Sequence, residues 1–321
     1  MGHLLEGVWS TEEHFPTDEG GRFVRKSASF RQWVRADGST PFVPEAGRYH
    51  LYVSYACPWA HRTLIARALL GLEDAVSVSV CHPLMLDQGW VFSEDKAEIP
   101  DTVVGIDYLH QLYTKADAGY TGRATVPVLW DKETGTIVNN ESRDILRMFT
   151  TEFRALWTRE VELAPTDLIS AIDETAESFY QPVNNGVYRS GFARTQSAYE
   201  EAVTQLFEAL DGLEQTLAER RFLVGNRLSE ADICLFTTLI RFDPVYVTHF
   251  KCNLRRLVDY PNLWGFTRDV YQTPGVAQTC NMRHIKEHYF GSHESINPFR
   301  IVPIGPAVDL DEPHGRESLT L

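Results

Sequence analysis

After a polar N-terminal stretch, the pattern of apolar positions predicts a strand, a helix and a second strand. The run from Arg48 to Ser54 is rich in aromatic and β-branched residues, which favours a strand. After Cys57, apolar residues recur at helical spacing as far as Leu72. Residues 75–80 then alternate between apolar and polar positions like a strand. We therefore predict a βαβ unit.

A long polar and aromatic stretch, residues 81–122, separates this unit from a second group of elements. It predicts an enlarged segment with one helix near residues 106–114. Pro127 is expected at the very start of the next strand, because proline interrupts a central ladder. The second group then consists of a strand, a hairpin partner and a helix, over residues 125–131, 136–138 and 142–149. The first half of the chain is thus predicted as βαβ followed by ββα.

The second half of the chain shows helical periodicity without strand alternation. Ser229 and Asp232 precede an apolar run with the spacing of a helix cap. The predicted helices cover residues 166–180, 194–220, 229–242 and 263–270. In the polar N-terminal stretch only residues 28–34 look regular. The predicted domain organisation is an extension (1–45), an α/β domain (46–152), an all-helical domain (165–296) and a proline-containing tail (297–321).

Charge and composition narrow the classes of partner. With 30 basic and 44 acidic residues the formal net charge is −14, which repels nucleic acid phosphates and anionic membranes. The sequence has neither a secretory leader pattern nor an apolar run of membrane-spanning length. We expect a soluble cytoplasmic protein that binds small molecules or proteins, with no nucleic acid and no membrane partner.

The five cysteines are scattered without paired short spacings, which argues against a disulfide framework. Two pairs, His249 with Cys252 and Cys280 with His284, imitate zinc spacings but lie in helical or aromatic sequence. We therefore predict no metal site. His61, four residues after Cys57, is placed to tune that thiol, but a partly buried polar role is the more common one and we assign it no catalytic part.

Cys57 is the predicted reactive thiol. It stands directly before Pro58 at a helix start, where unpaired amides and the helix dipole favour the thiolate and lower a thiol pKa. Ala60 occupies the position where a dithiol motif has its second cysteine. A mixed disulfide on Cys57 must therefore be released by an external thiol, for which glutathione is the abundant candidate in a reducing compartment.

Two further motifs fit a peptide-like ligand beside this thiol. A cis proline at Pro127 exposes the Val126 backbone for antiparallel pairing with the ligand. Glu141 and Ser142, at the start of the following helix, suit the ammonium and carboxylate of a γ-glutamyl group. Alone, each motif also fits an ordinary strand-edge proline or helix cap; their order and spacing together are more specific.

Over nearly the whole chain these motifs resemble the glutathione transferase superfamily and, within it, the xi class of glutathionyl-hydroquinone reductases. The Cys-Pro-Trp-Ala sequence separates this class from transferases that use Tyr or Ser. The resemblance rests on residues 57–62, 89–90, 123–131, 139–142, 184–188, 228–233 and 297–306. It implies a thioredoxin-like N-terminal domain, an all-α C-terminal domain and a homodimer through the helical domain.

The resemblance also implies a reaction and a set of site residues. Cys57 would take glutathione from a glutathionyl-hydroquinone, and a second glutathione would release it as oxidised glutathione. Glutathione, the co-substrate, would be held by Trp90, Arg123, Val126, Glu141 and Ser142. The aromatic acceptor would lie among Tyr188, Tyr246 and Tyr289, although packing in a core or an interface explains tyrosines equally well.

Three alternatives use the same sequence. The first is a broader thiol transferase of the omega type, which reduces glutathione mixed disulfides or dehydroascorbate through Cys57. The second is a ligand-binding or interaction module without catalysis, which the intact Cys57 and Pro127 motifs oppose. Conjugation of glutathione to electrophiles is the third, and it is disfavoured because a cysteine forms a disulfide with glutathione where Tyr or Ser stabilises its thiolate.

Overall fold

The structure is a computed structural model that describes residues 2–12, 16–93 and 98–319. The chain forms two compact units. The first contains Met1–His14, Ser27–Val161 and Gln278–Val302, and the second contains Phe15–Lys26, Glu162–Ala277 and Pro303–Leu321. Residues 278–296, which the sequence pattern predicts as part of the helical domain, cluster with the first unit. Residues 94–97 of the predicted enlarged segment lie outside the described part.

All strands found in residues 2–12, 16–93 and 98–319 belong to the first unit. They are β1 (His3–Leu5), β2 (Val8–Ser10), β3 (Tyr49–Val53), β4 (Val76–Val80), β5 (Val128–Asp131) and β6 (Thr136–Asn139). A mixed sheet has the order β4-β3-β5-β6, with β3 parallel to β4 and antiparallel to β5. Strand β3 is central and all five of its residues are buried. This is the predicted thioredoxin-like arrangement, which is confirmed.

The helices are α1 (Pro58–Leu69), α2 (Leu109–Ala116), α3 (Ser142–Thr151), α4 (Ile169–Phe179), α5 (Gly186–Gly191), α6 (Gln196–Glu219), α7 (Glu230–Leu239), α8 (Pro261–Gln272) and α9 (Met282–Ser292). Helix α1 makes the crossover that a parallel β3–β4 pair requires. Helices α1 and α3 pack against each other in the first unit. Cys57, the residue before α1, and Ser142, the first residue of α3, therefore belong to one α/β framework.

The second unit is built from α4 to α8, so its predicted all-helical character is confirmed. Single π-helical turns at Tyr180–Asn184 and Phe242–Tyr246 interrupt the regular helices. Asn184 donates from Nδ2 to the Cys234 carbonyl at 3.0 Å and to the Thr238 hydroxyl at 2.8 Å. The side chain thereby satisfies buried polar groups and fixes the first π-helical turn against α7.

One local prediction needs correction, and three elements were not predicted. Residues 28–34 form neither helix nor strand, although Arg31 forms an isolated bridge with Asn139 and the Gln32 amide donates to the Val138 carbonyl of β6. The β1–β2 hairpin was not predicted, because three-residue strands offer almost no alternation to detect. Helices α5 and α9 were also missed. No helix in the described residues is long and apolar enough to cross a membrane.

Candidate active site

Cys57 is the last residue before α1 and has extended backbone geometry (φ −75°, ψ 120°). Its carbonyl accepts from the His61 amide at 3.0 Å, so the chain enters the helix directly after the thiol. Pro58 is the first helical residue, where a missing amide hydrogen costs no intrahelical bond. Cys57 is half-buried, and its side chain makes no capping hydrogen bond to α1. The thiol is therefore held at a helix start, on a residue that is only partly buried.

The segment opposite this thiol is the turn that leads into β5. The Val126–Pro127 peptide bond is cis, and Pro127 immediately precedes the first strand residue, Val128. The Cys57 thiol donates to the Val126 carbonyl at an Sγ–O distance of 3.6 Å. The structure thus brings together Cys57, Val126 and Pro127 on one side of the sheet.

The start of α3 forms a second part of the same region. Glu141 is the residue before the helix and accepts from the Arg143 amide at 3.2 Å. The Ser142 hydroxyl donates to Glu141 Oε1 at 3.3 Å and accepts from Arg62 Nη1 at 3.4 Å. The Arg62 guanidinium, which is buried, also lies over the Trp59 ring at 4.5 Å. A buried cation on α1 therefore stands beside the hydroxyl at the start of α3, which favours an anionic ligand group there.

Tyr113 on α2 connects the turn before β5 with the start of α3. It was not among the residues predicted for the site. Its hydroxyl donates to the Thr125 carbonyl at 2.8 Å and accepts from Asn140 Nδ2 at 3.0 Å. Burial raises the pKa of Tyr113 to about 12, so the phenol keeps its proton at neutral pH. One buried hydroxyl therefore fixes the residue before Val126 and the residue before Glu141 relative to each other. Nothing in the helical pattern near Tyr113 signals this role.

The remaining predicted glutathione residues, Trp90 and Arg123, lie in the same unit. Arg123 is half-buried, and its carbonyl accepts from the Tyr120 hydroxyl at 3.3 Å. Trp90 is buried, and its carbonyl accepts from the Leu109 amide at the start of α2 at 3.0 Å. Helix α2 thus contacts the backbone at both Trp90 and Thr125.

Other cysteines of the first unit differ from Cys57 in their surroundings. Cys81, at the end of β4, is completely buried, and burial raises its pKa well above the ordinary value. Cys280 is half-buried, with its Sγ 3.7 Å from His61 Nε2. His61 itself is buried and shares a 2.8 Å hydrogen bond between Nε2 and the Thr279 hydroxyl. His61 is therefore packed against the segment before α9.

The three predicted acceptor tyrosines fall into different units. Tyr188 and Tyr246 lie in the second unit, with ring centroids 6.2 Å apart. Phe250 stacks on Tyr246 at 5.5 Å, and Tyr188 is half-buried whereas Tyr246 is buried. Tyr289 lies on α9 in the first unit and is also buried. The second unit therefore holds an aromatic cluster with Tyr188 as its partly exposed member.

The sequences that imitate zinc spacings lie in packed surroundings. His249 and Cys252 are both buried, and burial raises the pKa of Cys252 to about 12. Within the described part of the chain, no group of three or more His, Cys, Asp or Glu side chains is arranged to hold a metal ion.

A thioredoxin-like sheet with a cysteine at the start of its first helix, a cis proline opposite and an attached helical unit define a glutathione transferase. The family model described as "Glutathione S-transferase, N-terminal domain" matches residues 56–152. The model described as "Glutathione S-transferase, C-terminal domain" matches residues 196–269. The chain belongs to the glutathione S-transferase family.

Full-length relatives place the chain more closely. It is 54% identical to glutathionyl-hydroquinone reductase YqjG of Escherichia coli K12, over 99% of both chains. Identity to glutathionyl-hydroquinone reductase PcpF of Sphingobium chlorophenolicum is 50%, over 97% of this chain and 98% of the relative. The structure of a xi-class transferase from Natrialba magadii matches with a TM-score of 0.94 at 50% identity, covering 100% and 98% of the two chains. Glutathione-bound YqjG matches with a TM-score of 0.89 at 53% identity, covering 98% and 99%. The predicted resemblance to the xi class is confirmed.

Proposed function

We propose that the chain is a glutathione-dependent reductase that removes glutathione from glutathionyl-hydroquinones, with Cys57 as the catalytic nucleophile. The observation that carries the proposal is the half-buried Cys57 thiol, placed directly before α1 and 3.6 Å from the Val126 carbonyl. The names of the two full-length relatives, YqjG and PcpF, supply the substrate class.

The first step is attack of the Cys57 thiolate on the sulfur of the glutathionyl-hydroquinone. A sulfur–sulfur bond forms between Cys57 and glutathione while the carbon–sulfur bond to the ring breaks. The bonding electron pair stays on the ring carbon, which takes up a proton and leaves as the free hydroquinone. Placement of the thiol at a helix start supports this step, because the positive end of the helix dipole favours the thiolate.

The second step regenerates the enzyme. A second glutathione, as thiolate, attacks the glutathione sulfur of the mixed disulfide, and the Cys57 thiolate is the leaving group. The products are oxidised glutathione and free enzyme. Overall, the ring is reduced to the hydroquinone while its glutathionyl group and one free glutathione are joined in a disulfide. Ala60 stands where an adjacent second cysteine would offer an internal route, so the external thiol carries this step.

Glutathione binding is assigned to the residues around the two helix starts. The Val126 backbone pairs with the peptide part of glutathione beside the cis proline. Ser142 and the first amides of α3 bind the γ-glutamyl carboxylate, while Glu141 binds its ammonium group. The buried Arg62 guanidinium, 3.4 Å from the Ser142 hydroxyl, adds positive charge near that carboxylate. Trp90 and Arg123 complete the site as the family resemblance implies.

The aromatic ring is assigned to Tyr188, Tyr246 and Tyr289. The phenol rings stack beside the aromatic ring of the substrate. Their hydroxyls donate hydrogen bonds to a hydroquinone oxygen, which stabilises the leaving group. Two finer points are also proposals: the protein works as a homodimer through its helical unit, and it does so in the cytoplasm. Light scattering on the purified protein, and fractionation of cells that express it, test these two points.

The test of the function is product analysis with a glutathionyl-hydroquinone and excess glutathione. Wild type is expected to release free hydroquinone and oxidised glutathione in equal amounts, and Cys57→Ala is expected to release neither. A small glutathione mixed disulfide is assayed in parallel, because a relative 45% identical in Schizosaccharomyces pombe is named omega-like. If wild type acts on the mixed disulfide and not on the quinol, the chain is a general thiol transferase and the proposal is wrong.

A further inference from the structure

The segment that carries Trp90 is a closed loop, residues 82–92, which we call the Trp90 loop. The His82 amide donates to the Val91 carbonyl at 2.9 Å, and the Gly89 amide donates to the Leu86 carbonyl at 2.9 Å. These bonds close the loop on itself but leave its position to be set by neighbours. In the first unit one of those neighbours is α9, about two hundred residues later in the chain.

Three kinds of contact attach the loop to α9. The Met85 amide donates to the Ser292 hydroxyl at 3.0 Å, and His288 Nδ1 lies 2.9 Å from the Pro83 carbonyl oxygen. The Trp90 ring stacks on the His288 ring, with centroids 4.8 Å apart and planes 22° apart. Gly291 allows the close approach, because a Cβ there would lie 2.4 Å from the Leu84 side chain. These contacts are distributed along the loop, so α9 holds it together with the Leu109 amide, which donates to the Trp90 carbonyl.

The hydrogen bond to Pro83 also fixes the state of His288. A carbonyl oxygen only accepts, so His288 Nδ1 carries a proton and donates it. With that bond in place the ring cannot turn about its side-chain bonds without losing its partner. Both rings of the stacked pair are buried, with Trp90 6% and His288 7% exposed. The imidazole, held by its hydrogen bond to Pro83, therefore packs against one face of the buried Trp90 indole.

We propose that His288 is a positioning residue for glutathione, which holds the Trp90 indole in its binding orientation through this stack. The inference rests on the proposed function, which assigns Trp90 to the glutathione site. A binding side chain that is already ordered loses less conformational entropy when the ligand arrives. Helix α9 lies beyond residue 269, where the match to the C-terminal family model ends. The glutathione site of the α/β unit thus depends on a helix outside both matched regions.

Two substitutions separate the stack from the hydrogen bond. His288→Asn keeps an N–H group that can reach the Pro83 carbonyl but removes the ring. His288→Phe keeps a ring against Trp90 but removes the donor. His284→Asn is the matched control, since His284 is a buried histidine one turn earlier on α9 that contacts Tyr55 instead of Trp90.

The readout is the dissociation constant of glutathione, measured by titration calorimetry on full-length protein with Cys57→Ser as the common background. This background prevents disulfide formation during the titration. His288→Asn is expected to weaken glutathione binding by about 3- to 10-fold, the loss of one aromatic stack. His288→Phe and His284→Asn are expected to stay within about 2-fold of the background protein. Thermal melts should show His288→Phe less stable than His288→Asn, because the buried Pro83 carbonyl loses its donor.

Three results overturn the proposal: glutathione binding unchanged in His288→Asn, equal weakening in His288→Asn and His288→Phe, or equal weakening in the His284→Asn control. Equal effects would show general loosening of α9. Failure of the proposed function looks different, since wild type would then release no hydroquinone while the glutathione affinities still depend on His288 in the expected order.

Discussion

Helices α1 and α7 begin in opposite ways. At α7 the cap is closed within the chain: the Asp232 carboxylate accepts from the Ser229 amide and from the Leu223 amide, each at 2.8 Å. Ser229 is buried, and its hydroxyl also donates to Asp232 at 2.7 Å. At α1 the residue in the same position is Cys57, half-buried and directed to the Val126 carbonyl.

The difference separates a helix start that stabilises the fold from one that serves chemistry. A Ser–Asp capping box satisfies backbone amides at the helix start through side-chain hydrogen bonds, and its removal lowers the free energy of unfolding. A cysteine is a poor cap, so at α1 the dipole field of the first turn acts on a thiol that a substrate can reach. The start of α3 lies between the two, because Glu141 caps the helix while Ser142 faces the buried Arg62.

The largest expected effect is at α1. Cys57→Ser should lower the rate of hydroquinone release at least about 1000-fold, because a hydroxyl cannot form the mixed disulfide. The melting temperature should change little, since serine keeps a donor for the Val126 carbonyl and no capping bond to the helix is lost. Cys280→Ser, also at a half-buried cysteine, is the control and should keep the rate within about 2-fold. Steady-state kinetics and thermal melts measure both, and an equal loss in Cys280→Ser would make Cys57 one of two essential thiols.

Serine-to-alanine substitutions at the other two helix starts should have opposite consequences. Ser229→Ala is expected to lower the free energy of unfolding by about 1 to 2 kcal/mol and to leave the KM for glutathione unchanged. Ser142→Ala is expected to raise that KM about 10-fold, because a hydrogen bond to the γ-glutamyl carboxylate is lost. The same substitution should lower the free energy of unfolding by less than about 1 kcal/mol. Denaturant titration and kinetics on both variants test this. The contrast between the helix starts fails if both variants change the same quantity.

The smallest expected effect is a pH dependence at α7. Burial raises the pKa of Asp232 to about 6, against about 3.9 in an unfolded chain. The folded state therefore binds this proton more tightly, and the resulting stability is present below pH ~4 and lost as the pH rises through about 6. Between pH ~5 and ~7.5 the wild type should lose about 1.4 kcal/mol that Asp232→Asn does not lose. Urea unfolding at the two pH values measures it, and parallel losses in both proteins would refute the assignment.

The framework of the first unit could be predicted well, because each of its strands and helices is encoded by a short continuous pattern of residues. The apolar runs gave β3, α1, β4, β5, β6 and α3, and the cysteine and proline motifs gave the residues that the structure brings together at Cys57, Val126 and Pro127. Periodicity also found α6 and α7 nearly to their ends.

What the sequence did not predict depends on contacts between distant segments. Tyr113 joins Thr125 to Asn140, and neither bond has a local signature. Helix α9 was missed because Ile285 is the one aliphatic side chain among its buried residues, which also include His284, His288 and Tyr289. A signal was nevertheless available: Asn281 caps the helix by accepting from the His284 amide at 3.0 Å. Asn281 as a helix cap, followed by Ile285 and Tyr289 four residues apart, would have indicated this helix.

The most direct test of the account is mass spectrometry of the enzyme after one turnover. Wild type is mixed with one equivalent of a glutathionyl-hydroquinone and no free glutathione, quenched in acid and digested. We predict one glutathione in disulfide linkage on the peptide that contains Cys57, with an equal amount of free hydroquinone, and loss of this adduct when glutathione is added. Release of hydroquinone without any adduct on Cys57, or with the adduct on Cys280 instead, would contradict the central claim.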